Sequence, residues 1–173
     1  CYLDQRENRL AASRYLQGAR VLDAFCFSGG FGITALKLGG AASVLGIDSS
    51  ESALELAKAN AELNGVADRC QWQRDDVRPA LEAMAGQGAM FDAVILDPPR
   101  MARTRGGMDR AINGYVRLNQ LGLQVLKPGG ILVTCSCSGL VSRDEFQEML
   151  AEVARRAGRD IQVLENRGQP ADH

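Results

Sequence analysis

Val21-Leu22-Asp23-Ala24-Phe25-Cys26 leads into Phe27-Ser28-Gly29-Gly30-Phe31-Gly32, and the chain resumes as Ile33-Thr34-Ala35-Leu36. The first run is short and apolar, as a buried strand is, and the last reads as the opening of a helix. The glycines between them let the backbone approach a ligand with no Cβ in the way, and they permit positive φ. Many α/β proteins need a tight turn of this kind for no ligand at all. The stretch therefore decides the fold class before it decides any chemistry.

Working outward, the same alternation repeats. Strands are expected at Val21–Cys26, Ser43–Asp48, Cys70–Arg74, Phe91–Asp97, Ile131–Cys137 and Ile161–Glu165, with helices in the gaps. A helix over Ser50–Leu63 has Ser49 or Ser50 as a cap and closes at Asn64-Gly65. A longer one runs from about Asp109 to Leu126 and is stopped by Lys127-Pro128-Gly129-Gly130. The next starts at Ser142, where Ser142 and Glu145 have capping-box spacing, and ends near Gly158. Repeated strand–helix units imply a doubly wound α/β sheet with right-handed crossovers. Residues 1–17 read as a polar lead-in and 18–173 as the domain.

Composition bounds the rest. The chain has 173 residues, 46% hydrophobic and 24% charged, with a net charge of −1. One ordinary globular domain fits those values, and a globally basic nucleic-acid binder does not. No apolar run reaches the length of a membrane span, and no signal segment opens the chain. Cys1 rather than Met at the start reads as a fragment of something longer. The five cysteines are scattered without a C-x-x-C pair, and His173 is the only histidine. A disulfide framework or zinc site is a poor fit, and a reducing, cytosolic setting a better one.

Carboxylates follow successive strands. Asp48 ends Gly46-Ile47-Asp48-Ser49, about twenty residues beyond the first turn, where an acid accepts both hydroxyls of an adenosine ribose. Asp76, in Arg74-Asp75-Asp76-Val77, is placed to accept from an adenine amino group. Asp23 either attracts a cationic ligand or holds the loop. The plain alternative makes all three solvated turn residues. A dinucleotide site wants G-x-G-x-x-G, which S-G-G-F-G-I does not supply. Acids near the ligand suit a sulfonium and an ammonium better than a pyrophosphate. S-adenosyl-L-methionine is thus favoured over NAD, with Asp23, Phe25, Ser28, Gly29, Gly30, Asp48, Ser49, Asp76, Val77 and Asp97 as the expected cofactor residues.

Two further strand ends carry reactive groups. Val94-Ile95-Leu96 stops at Asp97-Pro98-Pro99-Arg100, and Ile131-Leu132-Val133 stops at Thr134-Cys135-Ser136-Cys137-Ser138. A carboxylate and a thiol at the crevice of a parallel sheet suggest covalent chemistry on a flat polar ring, a nucleic-acid base being the leading candidate. Period-2 geometry puts Cys135 on the same face as Cys137 but deeper, where it reads as packing. Cys137 itself is either a nucleophile or a small hydrophobe. Asp97 is either a base-binding acid or part of a Pro-Pro turn. Arg100, Arg103, Arg105, Arg110 and Arg117 stand against Asp109 alone, which suits phosphate contacts or an ordinary solvated face.

The order D-A-F-x-x-x-G-G-F, G-I-D-S-S, R-D-D-V, D-P-P and L-K-P-G-G resembles the class I S-adenosylmethionine-dependent methyltransferases. Leu3-Asp4-Gln5-Arg6, Phe27-Ser28-Gly29-Gly30-Phe31, Ser136-Cys137-Ser138-Gly139-Leu140 and Ala157-Gly158-Arg159-Asp160 resemble, more narrowly, the bacterial ribosomal RNA large-subunit methyltransferases that make 5-methylcytosine. That resemblance covers nearly the whole chain. It implies a Rossmann-like sheet with helices on both faces and an RNA substrate. It also implies that a preceding PUA RNA-binding module, a small connecting domain and the last strand are missing here. In that family the S-C-S cysteine is the nucleophile, so the resemblance assigns the role to Cys137, with Asp97 as the acid facing the target base. It matches His173 to an A-D-H stretch, which makes it a candidate proton-removing base. Arg100 stands where amino-group methyltransferases place a stacking aromatic, which points to carbon methylation. Alternatives are a uridine-5 methyltransferase, a non-catalytic cofactor-binding module in RNA assembly and an NAD oxidoreductase. A homodimer is open.

Overall fold

The computed structural model describes residues 5–101, 105–138 and 140–168. Five strands, β1 (Arg20–Ala24), β2 (Ser43–Asp48), β3 (Cys70–Arg74), β4 (Phe91–Leu96) and β5 (Leu126–Thr134), form one parallel sheet in the order β3-β2-β1-β4-β5. The chain winds outward from β1 through β2 to β3, then returns to the other side of β1 for β4 and β5. The reversal between β1 and β4 opens a crevice beyond the carboxyl ends of these two strands, where folds of this kind bind ligands.

Among the described residues six α-helices cover the sheet: α1 (Arg6–Ser13), α2 (Gly30–Lys37), α3 (Glu51–Leu63), α4 (Val77–Gly86), α5 (Met108–Gln124) and α6 (Arg143–Ala157). Strand side chains alternate between two cores, as period 2 requires. Leu22, Ala24, Val94 and Leu96 pack with Leu81, Tyr115, Leu121 and Val153 from α4, α5 and α6. Val21, Ala93 and Ile95 pack with Ala12, Phe31, Leu36 and Ala61 from α1, α2 and α3. This is the doubly wound, Rossmann-like architecture that the strand–helix alternation implies. Local signals start the helices as expected: the Ser50 hydroxyl caps α3 by accepting from Ala53 N, and Ser142 and Glu145 complete a capping box on α6.

Two expectations change. Ile161–Glu165 is not a strand; Ile161, Val163 and Leu164 are 39, 57 and 51% exposed. A β-favouring run becomes a strand only when a neighbour takes its ladder, and among the described residues none lies beside it. The fifth strand starts at Leu126, so Lys127-Pro128-Gly129-Gly130 belongs to it as an irregularity: Phe91 pairs with Leu126, and Ala93 next pairs with Ile131. Gly129 at φ +74 and an edge position accommodate the proline and the extra residues. Within the lead-in, Arg6–Ser13 forms α1, and Leu16 just beyond it is 1% exposed.

Candidate active site

The first turn holds an unusual backbone. Phe25 and Phe27 have φ of +63 and +47, a region that residues with a Cβ seldom enter. Such conformations persist where their surroundings over-determine them. Here Cys26 N donates to Ile47 O at 3.0 Å, Gly29 N to Cys26 O at 2.8 Å, and Phe27 N to Asp48 Oδ2 at 2.9 Å. Asp48 Oδ1 accepts from Ser50 N at 2.9 Å, so each carboxylate oxygen spends one lone pair on backbone and keeps another for a ligand. Asn60 Nδ2 donates to Ser28 O at 3.0 Å, tying the turn to α3. Gly29 has φ +78, and a Cβ there would come within 2.8 Å of Trp72 Cη2.

Asp23 is 1% exposed, and its Oδ2 accepts from Gly32 N at 2.8 Å. Burial pushes its pKa up to about 7, the Gly32 amide opposes that rise, and the Asp97 charge adds to it. Asp76 stands exposed at the N-cap of α4, and Ser49 is exposed after β2. The Val77 side chain is 5% exposed in the core, which leaves only its backbone to face a ligand. The expected cofactor residues therefore gather at the ends of β1, β2, β3 and β4.

The thiol meets a carboxylate. Cys137, three residues past β5, is part-buried and its Sγ donates to Asp97 Oδ1 at 3.8 Å. Arg100 Nε donates to the Cys137 carbonyl at 3.4 Å. Cys135 sits deeper against the α2-side core, and burial raises its thiol pKa well above the ordinary value, as a packing residue's would be.

Two residues at this site went unassigned in the sequence. Tyr115 of α5 is fully buried, stacks edge-on against Phe146 at 5.8 Å, and brings its hydroxyl 3.2 Å from Ser136 Oγ and 3.3 Å from Ser138 Oγ. It clamps both neighbours of Cys137. Tyr115→Phe leaves two serine hydroxyls short of a partner, so a loss of about 1–3 kcal/mol is expected in denaturant unfolding. Arg9 of α1 reaches the turn, its guanidinium 5.7 Å from the Phe31 ring centroid. Tyr115 looks like one more apolar position on an amphipathic helix, and Arg9 like one more charge in a polar segment.

Of the arginine run, Arg100 and Arg110 are exposed, while Arg117 is paired with Glu82 at 2.8 Å, away from the crevice. Arg103, Gly139, His173 and the Arg105 side chain lie outside the described residues.

With that geometry in hand, comparison with known proteins gives a consistent answer. A family description reading "Methyltransferase domain" matches residues 16–168. The chain belongs to the methyltransferase domain family. This methyltransferase domain is 47% identical, over 99% of its length, to ribosomal RNA large subunit methyltransferase I of Aeromonas hydrophila, and 46% identical to that of Serratia proteamaculans. It spans 43% of each of those relatives. Among solved structures it superposes on SMU.776 complexed with SAH with a TM-score of 0.87 at 22% identity, covering 99% of this chain and 45% of that one. A SAM-dependent methyltransferase from Agrobacterium tumefaciens matches with a TM-score of 0.73 at 22% identity, covering 89% and 51% of the two chains. At that identity the methyltransferase domain shares their fold.

Proposed function

We propose that residues 18–173 are the catalytic domain of an enzyme that methylates C5 of a cytosine in ribosomal RNA through a covalent cysteine adduct. The cofactor is S-adenosyl-L-methionine, and the residues present fit it. A Cβ at Gly29 would crowd the turn, Asp48 keeps a lone pair on each oxygen for ribose hydroxyls, and Asp76 is exposed where an adenine amino group can donate. Asp23 and Asp97 give the amino-acid end and its sulfonium an acidic setting, with backbone from Phe25, Ser28, Gly30, Ser49 and Val77 around it. When bound, the cofactor supplies an electrophilic methyl group.

Cytosine C5 is a weak nucleophile, and the chain's own residues remedy that. Cys137, as thiolate, adds to C6: the Sγ–C6 bond forms, and the displaced π pair makes C5 able to take the methyl group. Asp97, beside that sulfur, holds the N3/N4 edge of the ring. Loss of the C5 proton to a base then restores the C5=C6 bond and expels the thiolate, returning Cys137 to its starting state. The target base must leave its stack to reach the sulfur. Arg100 at the rim, with Arg103 and Arg105 next along the chain, supplies cations for the RNA backbone. The 47% identity to a ribosomal RNA methyltransferase supports the substrate class.

One observation carries the reading: the Cys137 sulfur lies 3.8 Å from Asp97, joining the ends of β5 and β4, while Asp97 N donates to Ala24 O at 3.5 Å at the end of β1. RNA containing 5-fluorocytidine tests it, because fluorine at C5 blocks the final elimination. A cofactor-dependent adduct stable to denaturation and mapped to Cys137 is the expected result. An adduct with 5-fluorouridine RNA alone transfers the activity to uridine, and an adduct at another cysteine removes Cys137 from the mechanism.

A further inference from the structure

The acids of the crevice leave one charge of the cofactor unanswered. Asp23, Asp48 and Asp97 suit a sulfonium, an ammonium and ribose hydroxyls, yet the amino-acid end also carries a carboxylate, which three acids repel. A cation must face it, and α1 provides one. A Cβ at Gly30 would lie 2.8 Å from Arg9 Cζ and 2.9 Å from its Nε, so the guanidinium occupies the space that the absent side chain leaves over the turn. Phe31 steadies it from below, at 5.7 Å. The Arg9 charge opposes the upward pKa shifts of both Asp23 in β1 and Cys135 just past β5, so its field reaches the carboxyl ends of these strands. Gly30 also opens α2, and the positive end of that helix reinforces an anion site there.

We propose that Arg9 is the residue that receives the carboxylate of the cofactor's amino-acid end, over Gly30. The role rests on the cofactor reading above and is independent of the nucleobase. It makes α1 part of the cofactor site, and it gives Gly30 a steric purpose distinct from that of Gly29: Gly29 clears Trp72, whereas Gly30 clears a guanidinium. A planar fork suits a carboxylate better than a point charge does, so lysine at this position is a partial substitute at best.

The test compares S-adenosylmethionine with its decarboxylated form, which keeps the sulfonium and the amine. Binding to the purified protein is followed by calorimetry and by the fluorescence of Trp72, the only tryptophan, which touches the turn. Arg9→Ala is expected to weaken S-adenosylmethionine about ten- to a hundredfold and to leave the decarboxylated form within about twofold. Arg9→Lys should give an intermediate loss, again for the carboxylate-bearing ligand alone. If Arg9→Ala does not fold, Arg9→Gln carries the same comparison. Equal weakening of both ligands makes Arg9 a packing residue of the turn and overturns the proposal, as does no weakening of either. Failure of the unsubstituted protein to bind either form overturns the cofactor reading itself.

Discussion

Cys137→Ala is expected to lower methyl transfer by about 10⁴-fold or more, the scale seen when a covalent nucleophile is deleted, while cofactor affinity stays within about twofold. The two effects separate because the groups lie on different strands. The glycine turn is held by Asp48, Ile47 and Asn60 from β2 and α3, whereas Cys137 follows β5. The fold should also tolerate the change: the thiol is only part-buried, and the adjoining serines are held by Tyr115 without it. Cys135→Ala should do the reverse, lowering stability more than rate, since that side chain packs against the core. Single-turnover transfer to RNA and calorimetric cofactor binding separate these outcomes. Retained turnover in Cys137→Ala would end the covalent mechanism at this residue.

The second large effect belongs to Asp23. Its carboxyl is buried and its pKa stands at about 7, against an ordinary value near 4. A folded-state pKa raised above the unfolded one stabilises the fold fully below pH 4, and the benefit is lost as pH rises through 7. About three units correspond to about 4 kcal/mol between those limits. The cofactor-free protein is therefore expected to weaken between pH 4 and pH 7–8. Asp23→Asn should flatten that dependence, because its amide oxygen still accepts from Gly32 N while no charge is buried. At pH 8 the variant should unfold at higher denaturant than the parent, and near pH 4 the two should coincide. The same variant should bind the cofactor less well, having lost an anion that helps hold a cationic ligand. A parent whose stability does not change across this window would show that water or a rearrangement reaches the carboxylate.

Much of this was legible in one dimension. The pattern locates β1 to β4 within one or two residues of their ends, because short apolar runs bounded by Gly, Pro and Asp are local signals. Asp48 and Asp97 stood out for the same reason: acids directly after such runs must lie at the sheet's carboxyl edge. Ile161–Glu165 carries the same pattern and forms no strand, since strand formation needs a partner that sequence pattern does not supply. The start of β5 at Leu126 is illegible for a related reason, since proline and two glycines disguise a bulged edge strand. Among the cofactor residues, Val77 kept its position and turned its side chain into the core, a matter of helix phase at the start of α4.

Local pattern, then, was enough to establish an alternating α/β chain, its strand-end acids and its candidate thiol, because each of those depends on residues adjacent in the chain. Packing across the molecule alone determined that Cys137 lies against Asp97, forty residues away, that Tyr115 braces the serines beside it, and that Arg9 reaches over Gly30. These are contacts between elements, and they depend on how helices dock on the two faces of the sheet, which no window of neighbouring residues encodes.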